Sequence, residues 1–254
     1  MDFLTLLNVA LSSNNETTGI TMANIYLIRH GQASFGSDNY DNLSTLGHSQ
    51  ARHLAEHFNQ RNIQPSHVIC GNMTRHQQTR NACLAALSPP LLHDSLQISA
   101  AWNEFNHEDV IAVYRPDLAH PDTMKQYLSQ QPSPTRAFIE LFSQAIKQWQ
   151  HADNSAQYSE SWQQFNQKIA NGLTQLIEQT ADDDTVFVYT SGGVISAAAM
   201  QILSIPESQF FNINKQLVNC SVTQLHIKRQ RLSVITLNEH GYFDGTQKHL
   251  YSLI

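Results

Sequence analysis

An arginine and a histidine stand side by side where a short apolar run ends. Residues 24–29 form a run typical of a buried strand, and His30 and Gly31 follow directly. Open α/β sheets bind their ligands at the carboxyl ends of strands. An imidazole there can attack a phosphoryl group while the Arg29 guanidinium holds the phosphoryl oxygens, and Gly31 allows the backbone to come close. Alone, this tripeptide is weak evidence, because most histidines have structural roles.

A second strand end carries another arginine. Residues 67–70 form a short apolar run after a proline, and Arg75 follows at the start of a predicted helix, with Gln78 and Thr79 one turn later. If Arg75 converges on Arg29, the two guanidinium groups form a fork suited to the equatorial oxygens of a transferring phosphoryl group.

Together with three further segments, these residues resemble the histidine phosphatase superfamily, the phosphoglycerate-mutase-like enzymes. The similar segments are Ile28-Arg29-His30-Gly31, residues 43–51, residues 70–79 (where Gly71-Asn72 replaces the family's Ser-Pro), Trp102-Asn103-Glu104-Phe105 and residues 219–223. The resemblance runs from about residue 24 to residue 238, with the segments in the family's order.

The resemblance implies a catalytic set of His30, Arg29, Arg75 and Glu104. His30 would be the nucleophile and would form a phosphohistidine that water then hydrolyses. Glu104 would protonate the leaving oxygen and then deprotonate the attacking water. The phosphate-binding residues would be Arg29, Arg75, Ser191, Gly192 and Gly31, and neither a metal nor another cofactor is expected.

The sequence departs from the family at the third strand end. The family reads Ser-His-Gly-Gly there, whereas this chain has Ser191 in the position of the second histidine, before Gly192 and Gly193. Loss of one such hydrogen-bond donor typically costs about 10²–10³ in rate. We expect Ser191 to cap the following helix, whose first amides would still attract a phosphate.

Other side chains could compensate for the missing histidine. His76, His107 and His240 are candidates on neighbouring loops, and His107 and Gln32 are the accessory residues that the sequence favours. Gln32 also stands where the mutase branch has an acidic residue, which argues against a sugar-phosphate mutase.

Strands and helices alternate along the chain and predict how these residues are positioned. The patterns indicate strands over 24–29, 67–70 and 185–190, a hairpin of 217–227 with 231–238, and helices over 45–60, 74–87, 135–150, 159–179 and 194–203. The fold class is therefore α/β: a three-layer α/β/α sandwich with a mainly parallel sheet, a helical insertion at about 106–182 and a C-terminal β-hairpin. Residues 1–21 are expected to be a non-catalytic extension, favoured over a cleaved signal peptide, before a single domain over 22–254.

Composition excludes several function classes. The 254 residues carry a net charge of -6, and only 14% are charged, so no basic surface is available for nucleic acid. No apolar run approaches the ~20 residues of a membrane span. The three cysteines, Cys70, Cys83 and Cys220, lack metal-ligand spacing and favour buried thiols in a cytoplasmic protein.

The sequence thus predicts a metal-independent phosphomonoesterase that acts on a small phosphorylated molecule, with activity limited by Ser191. The alternative is a catalytically impaired protein of the same fold that binds a phosphorylated ligand. A homodimer formed through the hairpin edge at 231–238 is suggested and not required.

Overall fold

The computed structural model describes residues 21–34, 41–90, 96–151 and 156–253. Residues 1–20, which make up nearly all of the predicted N-terminal extension, lie outside the described residues. Six strands form one sheet: β1 (Ala23–Arg29), β2 (His67–Cys70), β3 (Leu96–Ile98), β4 (Thr185–Thr190), β5 (Val222–Lys228) and β6 (Arg231–Glu239). Their order is β3-β2-β4-β1-β5-β6, and the first four are parallel while β5 and β6 are antiparallel.

Helices cover both faces of the sheet. They are α1 (Thr45–Gln60), α2 (Thr74–Ala86), α3 (His107–Tyr114), α4 (Pro121–Ser129), α5 (Pro134–Trp149), α6 (Trp162–Gln179), α7 (Gly192–Leu203) and α8 (Phe210–Asn214). Alternate side chains of β1 explain the two layers. Ile25 and Leu27 join the core cluster that contains the helices from α5 to α8, whereas Tyr26 and Ile28 pack with residues of α1 and α2.

The strand register brings three loops to one edge of the sheet. Arg29 at the end of β1 pairs with Thr190 at the end of β4, and Cys70 at the end of β2 pairs with Tyr189. The segments that follow these strands therefore begin side by side, which is the arrangement expected for a site in an open α/β sheet.

The predicted fold class and the C-terminal hairpin are confirmed. The strands over 67–70 and 185–190 match residue for residue, and Ser44 caps α1 by accepting a hydrogen bond from the Gly47 amide. The sequence did not predict β3, α3, α4 or α8, which have three to nine residues each. All three cysteines are buried and free. The extents of the insertion and of the single domain stay predictions.

Candidate active site

Hydrogen bonds with strand β4 and with the segment before β5 fix the backbone of His30. Its amide donates to the Thr190 carbonyl (2.9 Å), and its carbonyl accepts from the Asn219 side-chain amide (3.2 Å) and the Cys220 backbone amide (3.3 Å). The Nδ1 atom lies 2.7 Å from the Gly31 carbonyl oxygen. A carbonyl only accepts, so Nδ1 carries the ring proton and Nε2 of the neutral ring keeps its lone pair.

The surroundings of His30 keep its ring neutral. Burial lowers the pKa of His30 well below 6.5, and the positive charges of Arg75 and Arg29 lower it further. A neutral imidazole is the form that can act as a nucleophile. Burial and the two arginines, which make the site electropositive, therefore also keep His30 unprotonated.

The Arg29 guanidinium is anchored by carbonyl oxygens of the C-terminal half. Its Nη1 donates to the Leu217 carbonyl and to the Leu253 carbonyl, the latter at 2.9 Å. These two carbonyl oxygens orient the guanidinium at the end of β1.

An aspartate that the sequence analysis did not single out holds Arg75. Its Nη1 lies 2.7 Å from Asp41 Oδ1, and the other oxygen of Asp41 accepts from the Thr74 amide at 2.7 Å. Arg75 is 5% exposed, so this pair fixes a nearly buried cation at the start of α2. No motif surrounds Asp41 in the sequence, so its contact with Arg75 can be recognised only from the fold.

The Glu104 carboxylate lies at the amino terminus of α7. Its Oε2 accepts from the Gly193 amide (2.9 Å) and its Oε1 from the Phe105 amide (3.3 Å). A Cβ atom at position 193 would lie 2.2 Å from Oε1, so only glycine admits this approach. Burial raises the pKa of Glu104, while the Gly193 amide and the charges of Arg75 and Arg29 oppose that rise. Glu104 is thereby suited to hold and release a proton.

Ser191 does not cap α7 with its side chain, which corrects the expected role. Its hydroxyl instead lies 2.6 Å from Nε2 of His76, and both side chains are fully buried. The His76 ring lies 5.7 Å from the His30 ring between centroids, and a Cβ atom at position 71 would lie 2.2 Å from His76 Nδ1. Gly71 therefore makes room for a second imidazole beside the site. Burial and Arg75 lower the pKa of His76 well below 6.5.

Gly31 and Gln32 form hydrogen bonds that hold the loop after β1 in place, and neither residue is part of the cavity lining. The Gly31 amide donates to Thr79 Oγ1 (3.0 Å), and a Cβ atom on Gly31 would lie 2.5 Å from the Gly47 carbonyl oxygen. The Gln32 amide donates to the Gln50 side chain at 2.8 Å. Gly31 thus permits two backbone segments to cross, and its amide is already engaged, in contrast to the expected phosphate contact.

The predicted catalytic residues line one cavity of about 230 Å³. Its floor is formed by Arg29, His30, Arg75, Glu104 and Gly192. The described residues that complete the lining are Ala33, Phe105, His107, Phe138, Ile139, Phe142, Phe211, Asn214, Lys215, Asn219 and Leu253. Gly31, Gln32 and Ser191 are outside this set.

Of the two remaining histidine candidates, one lines the cavity. His107 is part of the lining, and burial lowers its pKa. His240 instead bonds to the Asn238 carbonyl, away from that lining. Within the described ranges, no three His, Cys, Asp or Glu side chains are grouped to hold a metal ion, and none of the helices there is long and apolar enough to cross a membrane.

Comparisons with solved structures give the same fold. The α-ribazole phosphatase from Shigella flexneri is 19% identical with a TM-score of 0.60, over 85% of this chain and 96% of that one. A mycobacterial glucosyl-3-phosphoglycerate phosphatase is 20% identical with a TM-score of 0.58, over 86% of this chain and 100% of that one. Phosphoglycerate mutase from Bacillus anthracis is 18% identical with a TM-score of 0.59, over 87% and 95%.

A comparison with curated proteins finds no match. The sequence profile of the histidine phosphatase superfamily (branch 1) matches residues 25–137 and 131–240, which include every residue on the cavity floor. The chain belongs to the histidine phosphatase superfamily, branch 1.

Proposed function

We propose that this protein is a phosphomonoesterase that works through a phosphohistidine at His30. The observation that carries the proposal is that His30, whose Nδ1 is bound to a carbonyl, lines the same cavity as Arg29 and Arg75. Relatives of the same fold include proteins named as phosphatases. Because fold alone does not establish activity, the proposal depends on these side chains.

In the first step, the Nε2 lone pair of His30 attacks phosphorus and the bond to the leaving oxygen breaks. The protonated Glu104 carboxyl gives its proton to that oxygen, so the alcohol leaves neutral. Arg29 and Arg75 neutralise the charge on the phosphoryl oxygens. These two cations supply the positive charge without a metal, so we propose that the reaction is metal-independent.

In the second step, the Glu104 carboxylate takes a proton from water as the water oxygen attacks phosphorus. The bond between phosphorus and Nε2 breaks, inorganic phosphate leaves, and Glu104 is protonated for the next cycle. The raised pKa of Glu104 suits both roles, because the same group must give a proton and then take one near neutral pH.

The contact between Ser191 and His76 favours a second candidate, a binder of phosphorylated ligands that turns over little. The Ser191 hydroxyl lies 2.6 Å from the His76 imidazole, at the position where the resemblance implies a second histidine. If the Ser191 proton is directed at His76, the hydroxyl offers no proton to a phosphoryl group, and the cavity keeps its cations but lacks one donor.

Hydrolysis of an aryl phosphate in the presence of a chelator tests the proposal. The wild type is expected to hydrolyse the ester, and His30→Ala is expected to lose about 10⁴-fold or more in kcat. His249→Ala, which removes an exposed histidine that bonds the Thr246 carbonyl, is the matched control and should keep full activity. A wild-type rate equal to that of His30→Ala would contradict the enzyme and leave the binder.

An exchange of the two side chains separates an active enzyme from an impaired one. Ser191→His alone would force its ring against His76 and overpack a fully buried site. Ser191→His combined with His76→Ser keeps one imidazole and one hydroxyl in the same space. For an impaired protein, the double variant should gain about tenfold or more in rate. No gain, with a wild type well above background, would show that the present pair suffices.

Location and assembly are further proposals. Three buried free thiols suit a reducing compartment such as the cytoplasm. Strand β6 is the edge of the sheet and exposes Ile235 and Leu237, so a homodimer through this edge is proposed. Analytical ultracentrifugation of the wild type and of Ile235→Lys measures the oligomeric state. The wild type should be a dimer and the variant a monomer, and a monomeric wild type would contradict the proposal.

A further inference from the structure

The wall of the cavity differs in chemistry from its floor. Helix α5 contributes Phe138, Ile139 and Phe142 to the lining, and α8 contributes Phe211. The helical period of apolar residues along α5 is typical of a face packed in the core. The structure corrects this for one end of the helix, where these side chains are only partly buried and border the cavity.

The aromatic rings of this wall hold one another in place. Phe138 and Phe142 stack with 6.0 Å between centroids at 13°, and Phe211 meets the edge of Phe142 at 5.8 Å. Phe142 also stacks on the buried Phe105 at 6.3 Å, which ties the wall to the core. A mutually packed set of rings presents a preformed surface, and binding to such a surface needs little ordering.

Beyond the floor, the described lining includes four polar side chains, which are His107, Asn214, Lys215 and Asn219. Lys215 is exposed at the rim, where its Nζ bonds Asn212 Oδ1 at 3.1 Å and lies 5.8 Å from the Phe211 ring centroid. The Asn219 side chain already bonds the His30 carbonyl and the Ser252 hydroxyl. Ligand hydroxyl groups that lie against Phe138, Ile139, Phe142 and Phe211 would be buried without partners, which is unfavourable.

The volume limits the size of the occupant. The cavity holds about 230 Å³, floor included, and an apolar cavity of about 150 Å³ is enough to bind benzene. A phosphoryl group on the floor together with one ring, or an aliphatic chain of similar bulk, fills this space. A nucleotide, with a base and a sugar, would extend well into solvent.

We propose that the wall formed by Phe138, Ile139, Phe142 and Phe211 is the binding site for the leaving group, and that the substrate is a phosphomonoester of a compact apolar alcohol. The inference rests on the proposed function, since it places the phosphoryl group on the floor. It goes further in naming the substrate class: an aromatic or aliphatic alcohol is preferred, and polyols such as sugars and glycerol are disfavoured.

Two non-hydrolysable phosphonates test the subsite without requiring turnover. The phosphonates are 2-phenylethylphosphonate and 3,4-dihydroxybutylphosphonate, the isosteres of benzyl phosphate and glycerol 3-phosphate. Binding is measured by calorimetry on the full-length protein. We expect the phenyl compound to bind about 10- to 100-fold more tightly, the gain from burying one ring. Equal affinity, or tighter binding of the diol, would overturn the inference.

A substitution in the wall tests whether these residues cause the preference for the phenyl compound. Ile139 is 37% exposed, so Ile139→Ser should fold, and it should reduce the ratio of the two affinities by about threefold to tenfold. Ile98→Ser makes the same change at a 47% exposed position on the edge strand β3 and should leave the ratio unchanged. An unchanged ratio in Ile139→Ser would contradict the assignment of the wall.

The outcomes separate this inference from the proposed function. Tight binding of the phenyl compound without hydrolysis of benzyl phosphate would support the subsite and contradict the esterase. Hydrolysis of benzyl phosphate and glycerol 3-phosphate with equal kcat/KM would support the esterase and overturn the subsite. Both esters release primary alcohols, so a difference in kcat/KM reports recognition rather than leaving-group reactivity.

Discussion

The floor and the wall of the cavity are built by different parts of the molecule. Arg29 is the last residue of the central strand β1 and His30 follows it, and hydrogen bonds with neighbouring segments fix both within the fold. The wall residues Phe138, Phe142 and Phe211 lie on two helices outside the sheet and are only partly buried.

This difference indicates that the floor and the wall have different functions. Groups that take part in phosphoryl transfer require fixed geometry, which the strand ends supply. Groups that select the leaving alcohol need only shape and apolar surface, so helices can supply them. Changes on the floor should therefore reduce rates for every ester, whereas changes in the wall should alter the ratio between esters.

The largest effect is expected from Glu104→Gln on the floor. Loss of the acid should reduce kcat/KM for benzyl phosphate by about 10²- to 10⁴-fold. Burial raises the pKa of Glu104, and its protonated form is the active one, so wild-type kcat/KM should fall as pH rises through that pKa. The variant should lose this fall. A pH–rate profile of Glu104→Gln that still declines toward alkaline pH would assign the acid elsewhere, and Glu178→Gln is the exposed control.

Arg75→Gln should follow, with a loss of about 10²- to 10³-fold. Asp41→Asn leaves the guanidinium present but less firmly held, and we expect a loss of about tenfold. Both losses should be equal for benzyl phosphate and glycerol 3-phosphate, because they act on the phosphoryl group. Steady-state kinetics with Arg136→Gln as the exposed control measures this, and a selective loss for one ester would break the division between floor and wall.

The pH dependence of stability tests the buried, neutral state of His76 independently of catalysis. The pKa of His76 is lowered by burial, so its contribution is present above the unfolded-state pKa of about 6.5 and is lost as pH falls through the folded-state pKa. Below about pH 6.5 the slope is up to about 1.4 kcal/mol per pH unit for each such histidine. His76→Gln should flatten the pH dependence of the free energy of urea unfolding by about that amount. His249→Gln should not, and an unchanged slope in His76→Gln would refute its buried neutral state.

The smallest effect is expected at the rim. Lys215 is exposed and bonds Asn212, so Lys215→Met should change kcat/KM by no more than about threefold at physiological salt. A loss of tenfold or more would mean that Lys215 contacts the substrate, and the wall would then recognise an anionic alcohol.

Sequence alone predicted the floor better than the wall. His30, Arg75 and Glu104 lie in short segments that resemble the motifs of the superfamily. The sheet brings the three residues to one cavity, as expected. Asp41 and His76 were harder, because their roles depend on contacts 33 and 115 residues apart in the chain. Phe138 and Phe142 follow a helical apolar period, which does not distinguish a core face from a cavity wall.

The central claim is that His30 carries the phosphoryl group, and trapping that intermediate tests it most directly. In Glu104→Gln, an aryl phosphate has a leaving group that needs little protonation, while hydrolysis of the intermediate lacks its base. Rapid quenching followed by mass spectrometry at alkaline pH should find the phosphoryl group on the peptide that contains His30, in near-stoichiometric amount. Phosphorylation of another residue, or none while wild-type protein hydrolyses the ester, would contradict the account.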